Sequence, residues 1–387
     1  MKMVFAVVLV AAAAFLAGCA GFWDAPTSTT TTTTTTTLSS GYFYVLDQAT
    51  AEVITYYIDA GTLTLVSSIA LPSTPSSIAV APNNEFLYVG TANGIYLYTI
   101  SSGVLTLGNS SQSIYGDPAA AMQVDSTNSW LVETSGATGY LNAIPIVSST
   151  GLLNSSATSC TNSICTVPLT GATIKQLAIA PNNKYVFVAA ATNGTEAFDF
   201  TAGNSDPFGS ASGPYATIGT VTSTTGTALS LAVDPSNRLL YIGEAEAGTS
   251  SGGGLRVFTI GSSGSLTEVS GSPYASGGSG PNAILPKSTG DYVYVANWSG
   301  LSSGNITGFS ISDTNSTYSL TKLSSSVATG VEPSSLIEDS DHNFVLAANR
   351  IGDPYLDAYF FDTTTGGKLD LTLTSSAYAE YALAANH

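Results

Sequence analysis

A hairpin signature that recurs along the chain constrains the fold more than any other feature of the sequence. In "SIAVAPNNEFLYVGT", residues 77–91, an apolar strand leads into a Pro-Asn-Asn turn and then into a second strand rich in Tyr and Val. The pattern returns in "LAIAPNNKYVFVAA" and "LAVDPSNRLLYIG", and less clearly in "MQVDSTNSWLVE", "AILPKSTGDYVYVA" and "SLIEDSDHNFVLAA". Such repetition predicts an array of equivalent structural units.

Each unit is long enough for four short strands. The hairpin is followed by an alternating strand such as "GIYLYTI" or "GGLRVFTI", and a turn such as "SSGVLTL" opens a fourth strand. The copies are about 43 to 55 residues apart, a spacing typical of propeller blades. The aligned turn positions are Ser39, Pro82, Ser126, Pro181, Pro235, Ser288 and Ser340. We therefore predict an all-β fold, a seven-bladed β-propeller of four-stranded blades.

The two ends of the repeat complement each other. The first unit lacks an inner strand, because Thr-rich sequence precedes it, whereas "YALAANH" at residues 381–387 resembles "SIAVAPN". Ala385 is aligned here with the turn position. We expect the C-terminal strand to complete the N-terminal blade, which closes the ring and protects the edges of the sheets. The alternative is an open solenoid with a spare C-terminal tail.

The N-terminus has the pattern of a secreted and lipidated protein. Lys2 precedes the apolar stretch "VFAVVLVAAAAFLA", which suits a signal peptide better than a membrane span. The stretch ends in "LAGC", which resembles the lipobox of bacterial lipoproteins. The resemblance implies that Cys19 becomes the lipidated first residue of the mature chain, with a plain secretory signal and a chance cysteine as the alternative. Ala20, a residue other than Asp after the cysteine, implies the outer membrane if the organism is Gram-negative.

Three segments follow from these features. We predict a signal peptide at residues 1–18, a lipidated cysteine and Thr/Ser-rich tether at 19–40, and the propeller at 41–387. The localisation expected is the cell envelope, with the domain anchored by lipid and facing the periplasm or the cell surface.

Charge and cysteine content limit the classes of binding partner, the disulfides and the metal sites that we expect. Nine Lys and Arg stand against 26 Asp and Glu, a formal net charge of −17, which argues against nucleic acid as a partner. Cys160 and Cys165 lie close enough for a small-loop disulfide, with two free thiols as the alternative. Zinc would need more ligands, and the only histidines are His342 and His387. We expect no metal, no cofactor and a monomer.

The strand and turn motifs also carry a family resemblance. The sequences "APNN" or "DPSN", then "YVG" or "YVA", then a "G-x-L" turn resemble the seven-bladed lactonase-type propellers, which include 6-phosphogluconolactonases, over residues 41–387. YVTN-type surface propellers share most of this motif. The resemblance implies a central funnel lined by His and Arg. Here the segments leading into the inner strands contain no His or Arg, and their only cation is Lys175.

The candidate binding residues lie where such a funnel would open. Trp298 in "ANWSG" offers a flat apolar platform, and Arg350 in "ANRIG" takes the equivalent position one unit later. The alternatives are that Trp298 caps a blade and that the charged residues are solvated loop side chains. The predicted funnel-rim residues are Lys175, Glu244, Glu246, Asn297, Trp298, Asn349, Arg350 and Asp353.

Two classes of function remain open. The missing basic cluster favours a binding or scaffold propeller that takes a protein, a glycan or a small ligand at the funnel. The alternative is a divergent lactonase, in which Glu244 or Glu246 would activate water and Lys175 or Arg350 would hold the oxyanion. The sequence leaves open whether the protein is an enzyme.

Overall fold

Seven antiparallel sheets of four strands make up the fold, and one of them carries a short fifth strand. The computed structural model describes residues 41–385 except 60, 136–138, 155–163, 172, 210, 222–225, 246–252, 301–303, 352–353 and 376–379. These residues lie within one compact unit, Leu38–His387. The predicted signal peptide, Cys19 and the tether are outside the described residues. No helix in the described part of the chain has the length and apolar character needed to cross a bilayer.

The strands take four positions in the sheets. The inner strands are β4 (Pro75–Val80), β8 (Ala119–Val124), β12 (Gln176–Ile179), β16 (Thr227–Val233), β21 (Gly280–Pro286), β25 (Val331–Glu338) and β29 (Glu380–Ala385). The second strands are β1 (Gly41–Asp47), β5 (Phe86–Thr91), β9 (Trp130–Ser135), β13 (Tyr185–Ala189), β17 (Leu239–Ala245), β22 (Tyr292–Trp298) and β26 (Phe344–Ile351).

The remaining strands lie farther from the axis. The third strands are β2 (Glu52–Asp59), β6 (Gly94–Ser101), β10 (Tyr140–Pro145), β14 (Thr195–Asp199), β18 (Gly254–Ile260), β23 (Gly304–Thr314) and β27 (Leu356–Phe361). The outer strands are β3 (Thr62–Ala70), β7 (Val104–Leu107), β11 (Cys165–Pro168), β15 (Ala216–Ile218), β19 (Leu266–Glu268), β24 (Thr317–Thr329) and β28 (Leu369–Ser375), and β20 (Tyr274–Ala275) adds to β18. A 3₁₀ turn covers Asn109–Ser111.

The blades form a closed ring, as predicted. Blade 1 consists of β29, β1, β2 and β3, and blades 2 to 7 follow in chain order from β4, β8, β12, β16, β21 and β25. Each inner strand contacts the inner strands of both neighbouring blades, including β25 with β29 and β29 with β4. The C-terminal strand therefore completes the N-terminal blade, and the open solenoid is excluded.

The apolar core lies between the blades. Each of the seven buried clusters combines side chains of two neighbouring blades, for example Phe187 of blade 4 with Leu240 of blade 5. Both faces of the second strands are thereby buried, which explains apolar runs such as "YVFVA" instead of strict alternation. Burial of each large side chain in these clusters contributes about 1.5–3 kcal/mol.

The repeated turn signature has a conformational cause. The third turn residue has a positive φ in all six described copies, between 54° and 73°. Asparagine and glycine tolerate this left-handed conformation better than other residues, which is why they recur in the signature. The turn residues concerned are Asn84, Asn128, Asn183, Asn237, Gly290 and His342.

The register of the last strand puts the turn position two residues later than Ala385, where the sequence analysis places it. Ala385 pairs with Phe43 as Val80 pairs with Leu87, and the turn position follows Val80 by two residues. Ala385 is therefore an inner-strand residue and not the turn residue. The turn position corresponds to residue 387, outside the described residues. The Ala-rich segment offered no marker that could fix the register beforehand.

Side-chain hydrogen bonds to the backbone cross all seven seams between blades. Glutamine or serine provides the side chain at six of the seams, and Glu338 accepts from the backbone N–H of Ser288 at the seventh. The pairs, in order from the seam of blades 1 and 2, are Gln48 with Pro75, Ser77 with Ala119, Gln123 with Ile179, Gln176 with Leu231, Ser230 with Pro281, Ser288 with Glu338, and Ser335 with Leu383. These bonds satisfy backbone groups that the ladders leave unpaired.

Candidate functional site

The candidate site is the end of the propeller where the inner strands begin and the second strands end, which we call the mouth face. Because strands alternate in direction, the segments that lead into the inner strands and the loops between second and third strands share this end. A β-bulge interrupts the inner-strand pairing near the mouth face in six blades. Bulges are frequent at barrel rims and next to active sites.

Lys175 lies on the mouth face. It immediately precedes β12, in the position that an unpaired bulge residue takes in other blades, such as Ser76 in blade 2 and Ser334 in blade 7. Its backbone N–H donates to the carbonyl oxygen of Ala189 at 2.9 Å, and its side chain is exposed. The amine is thus placed where it can contact a ligand.

Trp298 and Arg350 take equivalent positions in the second strands of neighbouring blades, and both lie on the mouth face. Trp298 is 37% exposed, and its ring lies against Gly280 at the start of the inner strand of its own blade. Arg350 donates from Nη1 to Glu332 Oε1 at 3.0 Å, and both side chains are partly exposed. Glu332 has a φ of 56°, a strained conformation for a residue with a long side chain. The exposed Ile351 completes this part of the rim.

Three of the predicted rim residues are buried. Glu244, Asn297 and Asn349 take the same second-strand position in blades 5, 6 and 7, and each is no more than 1% exposed. Asn297 donates to the carbonyl oxygen of Ser276, and Asn349 donates to that of Pro354, so these amides hold loops in place. The prediction that these residues form the rim is therefore wrong. Neighbouring backbone segments cover this second-strand position, and a sequence motif alone does not reveal such cover.

Glu244 belongs to a buried ion-pair network that the sequence did not predict. Arg256 on the neighbouring third strand donates from Nη1 to Glu244 Oε1 at 2.9 Å and from Nη2 to Glu268 Oε2 at 2.9 Å. Its Nη1 also donates to the carbonyl oxygen of Gly219. Hydrogen bonds from Arg256 lower the pKa of Glu268, against the opposing effect of partial burial. The signal was a charged residue inside an otherwise apolar strand, "GLRVFTI".

The position of Arg256 on its third strand has a polar and buried occupant in five consecutive blades. We call it the third-strand slot, and its occupants in blades 3 to 7 are Asn142, Glu196, Arg256, Thr307 and Asp357. In three of these blades the occupant bonds to the segment that leads into the inner strand. Glu196 accepts from the backbone N–H of Gly171 at 3.0 Å, Arg256 donates to Gly219, and Asp357 accepts from Gly330.

Blade 3 departs from this arrangement. Asn142 in its slot donates from Nδ2 to Oε1 of Glu133, which lies opposite on the second strand. Glu133 is fully buried, and burial raises the pKa of its carboxyl to about 8, with the Asn142 hydrogen bond opposing and the charge of Asp117 adding to the increase. The sequence analysis did not single out either residue.

The remaining site predictions fall mostly outside the described residues. Glu246, Asp353 and Cys160 are among these. Cys165 is disulfide-bonded, and its pairing with Cys160 stays a prediction. In the described part of the chain, no group of three or more His, Cys, Asp or Glu side chains is arranged to hold a metal ion.

Comparison with known proteins bears on this geometry. The family model "Lactonase, 7-bladed beta-propeller" matches residues 32–191 and 239–354. No curated protein sequence matches the chain.

Solved structures share the fold at low sequence identity. A candidate 6-phosphogluconolactonase from Bacteroides fragilis superimposes with a TM-score of 0.69 and 15% identity, covering 90% of this chain and 98% of that one. The periplasmic gluconolactonase of Pseudomonas aeruginosa gives 0.67 and 16%, covering 90% and 99%. Hydrazine synthase of Kuenenia stuttgartiensis gives 0.56 and 12%, covering 82% and 94%. At these identities the likeness concerns the fold alone.

The match of the family model over more than half of the chain, together with the seven closed four-stranded blades, establishes the family. The chain belongs to the lactonase-type seven-bladed β-propellers.

Proposed function

We propose that the propeller binds an uncharged ligand with a ring, such as a sugar or a sugar lactone, at the mouth face beside Trp298. One observation carries this proposal: apolar side chains on the mouth face are exposed, whereas the arginine beside them is already paired with a carboxylate. Trp298 and Ile351 expose apolar surface on neighbouring blades, whereas Arg350 is paired with Glu332. An aromatic face with one N–H donor suits the stacking of a hydroxylated ring. A phosphorylated ligand would call for several unpaired cations, and Arg256 is buried in its own ion pairs.

Calorimetry with neutral monosaccharides, oligosaccharides and gluconolactone tests this proposal. Trp298→Ala should weaken binding of the best ligand at least about fivefold, since stacking of a nucleic-acid base on an aromatic side chain is worth about 1–3 kcal/mol. Phe360→Ala is the matched control, because Phe360 is also 37% exposed and lies on β27 near the opposite end of the blade. Equal affinities for both variants and the unmodified protein would refute the binding site.

Hydrolysis of a lactone is the second candidate. Family membership favours it, and the relative from P. aeruginosa carries the name of a gluconolactonase. The partly exposed pair of Glu332 and Arg350 supplies a carboxylate that could activate water and a guanidinium that could hold the developing oxyanion. This pair replaces Glu244, one of the two bases suggested by the sequence, because Glu244 is buried; the other, Glu246, is outside the described residues.

Release of acid from gluconolactone, followed in a pH-stat, separates the two candidates. A hydrolase should lose turnover in Glu332→Gln while ligand affinity stays within a few-fold. Turnover that never exceeds the spontaneous rate, with binding intact, would leave the binding function alone.

Lipid anchoring at Cys19 is a separate proposal and rests on "LAGC" at the end of the apolar stretch. Attachment at this residue would hold the propeller at the cell envelope through the Thr-rich tether. Cys19→Ala should leave the precursor unprocessed or move the protein out of the membrane fraction. Processing and membrane association equal to those of the unmodified protein would refute the anchor.

A further inference from the structure

In two blades, the charge of the residue in the third-strand slot is balanced by hydrogen-bond donors or by groups of opposite charge. In blade 4 the carboxylate of Glu196 accepts N–H groups of Thr170 and Gly171, which fix the segment leading into β12. In blade 5 the slot holds the positive charge of Arg256, which faces two carboxylates and the carbonyl oxygen of Gly219. Buried charge is therefore matched by donors or by an opposite charge, as burial requires.

Blade 3 lacks this match. Glu133 Oε2 and Asn142 Oδ1 have no hydrogen-bond partner in the described part of the chain, although Glu133 is fully buried and Asn142 nearly so. Leaving such acceptors without a donor costs about 1–3 kcal/mol each. Both atoms are oxygens, and in the ionised form of Glu133 neither meets a donor or a cation in the described part of the chain.

A second carboxylate lies nearby. Asp117 belongs to the segment that leads into β8, and in blades 4, 5 and 7 the corresponding segment bonds directly to the residue in the third-strand slot. Tyr115 donates its hydroxyl to Asp117 Oδ2 at 3.3 Å. No described lysine, arginine or histidine forms an ion pair with Glu133 or Asp117. Two acids and an amide oxygen thus lie in this part of blade 3 without an ion-pair partner among the described residues.

We propose that blade 3 binds a hard divalent cation, with Ca²⁺ as the best fit, through Glu133 Oε2, Asn142 Oδ1 and the Asp117 carboxylate. Ligands that are all oxygen suit calcium, whose flexible coordination accepts water at the remaining positions. Zinc or copper would favour imidazole or thiolate. The cation would take the role that the Arg256 guanidinium has in blade 5, joining the segment before the inner strand to the body of the blade.

Thermal unfolding of the full-length protein, purified in detergent and stripped with EDTA, tests the site. Addition of calcium chloride to about 1 mM should raise the melting temperature by about 3 °C or more if the site is then close to saturated. Glu133→Gln keeps the shape but removes the charge, and it should abolish most of that rise. The control is Glu85→Gln, an exposed acid in blade 2 that should respond like the unmodified protein.

Calorimetric titration with calcium gives an independent measurement. Asp117→Asn changes a half-buried residue on a connecting segment, so it should fold even if Glu133→Gln does not, and it should weaken calcium binding at least about tenfold. The proposal is overturned if the unmodified protein takes up no calcium at about 10 mM, or if all variants respond alike.

Discussion

The hydroxyl of Ser230 donates a 2.6 Å hydrogen bond to the carbonyl oxygen of Pro281 in the next blade. Ser77 makes the same contact with Ala119 three seams earlier, between blades 2 and 3, at 2.9 Å. In both blades a glycine lies directly opposite on the second strand, Gly243 or Gly90. The hydroxyl occupies the space that a Cβ atom at the glycine would need, so serine and glycine form a pair that brings two blades together.

Gly243→Ala should therefore destabilise the propeller. The added Cβ would collide with Ser230 Oγ and lie 2.6 Å from the carbonyl oxygen of Pro281, which is backbone and cannot move aside easily. We expect the free energy of unfolding to fall by about 1–3 kcal/mol, the usual cost of overpacking. Chemical denaturation measures it. Gly203→Ala is the control, because a Cβ there meets open space. Equal losses in the two variants would contradict the seam argument.

Removal of the closing strand should be more damaging. Leu383 is buried at the seam of blades 7 and 1, and its backbone N–H donates to Ser335 Oγ at 3.3 Å. Leu383→Ala should cost about 2–5 kcal/mol, and deletion of residues 381–387 should cost more, because it exposes the edges of β1 and β25. Leu65→Ala, at an exposed position of β3, should have little effect. A truncated protein whose melting temperature stays within about two degrees would disprove closure by this strand.

The sequence predicted the blades because their signature has a local cause. Asn84, Asn183 and Asn237 occupy a left-handed turn position. Because the positive φ restricts the residue type at that position, the turn is visible in the sequence. The candidate site was harder to predict. Glu244 and Arg256 lie on different strands, and their burial depends on the register of β17 with β18 and on the segment of Gly219 and Val221, which bonds to both. A single sequence carries no comparable mark of which face of a strand a loop will cover.

Arg256→Met tests the importance of the buried network. The methionine keeps most of the volume but leaves Glu244 without its cation at 1% exposure, and loss of one partner of a buried pair typically costs about 3–5 kcal/mol. Arg256→Lys should recover only part of this, because an ammonium group cannot bond to both carboxylates in the same fork geometry. Unfolding by denaturant gives both values. A loss below about 1 kcal/mol in Arg256→Met would mean that the network is not coupled to stability.

Acid should weaken the same network through Glu268. Arg256 lowers the pKa of this carboxyl in the folded protein below its ordinary value, and Ser272 adds a hydrogen bond in the same direction. A group whose pKa is lower in the folded than in the unfolded state stabilises the fold above its unfolded pKa, about 4.3, and this contribution disappears as the pH falls through the folded pKa. Because Glu268 is about one-third exposed, the contribution is limited to about 1 kcal/mol.

The comparison that isolates this contribution is Glu268→Gln against the unmodified protein between pH 7 and pH 3. The unmodified protein should be more stable by about 1 kcal/mol at pH 7, and the difference should shrink toward zero at low pH, when the carboxyl is protonated in both states. In an Arg256→Met background the same substitution should show much less pH dependence, since the cation that lowers the pKa is gone. A difference that stays constant across this range in the background that keeps Arg256 would show that Arg256 does not hold Glu268 in its charged form.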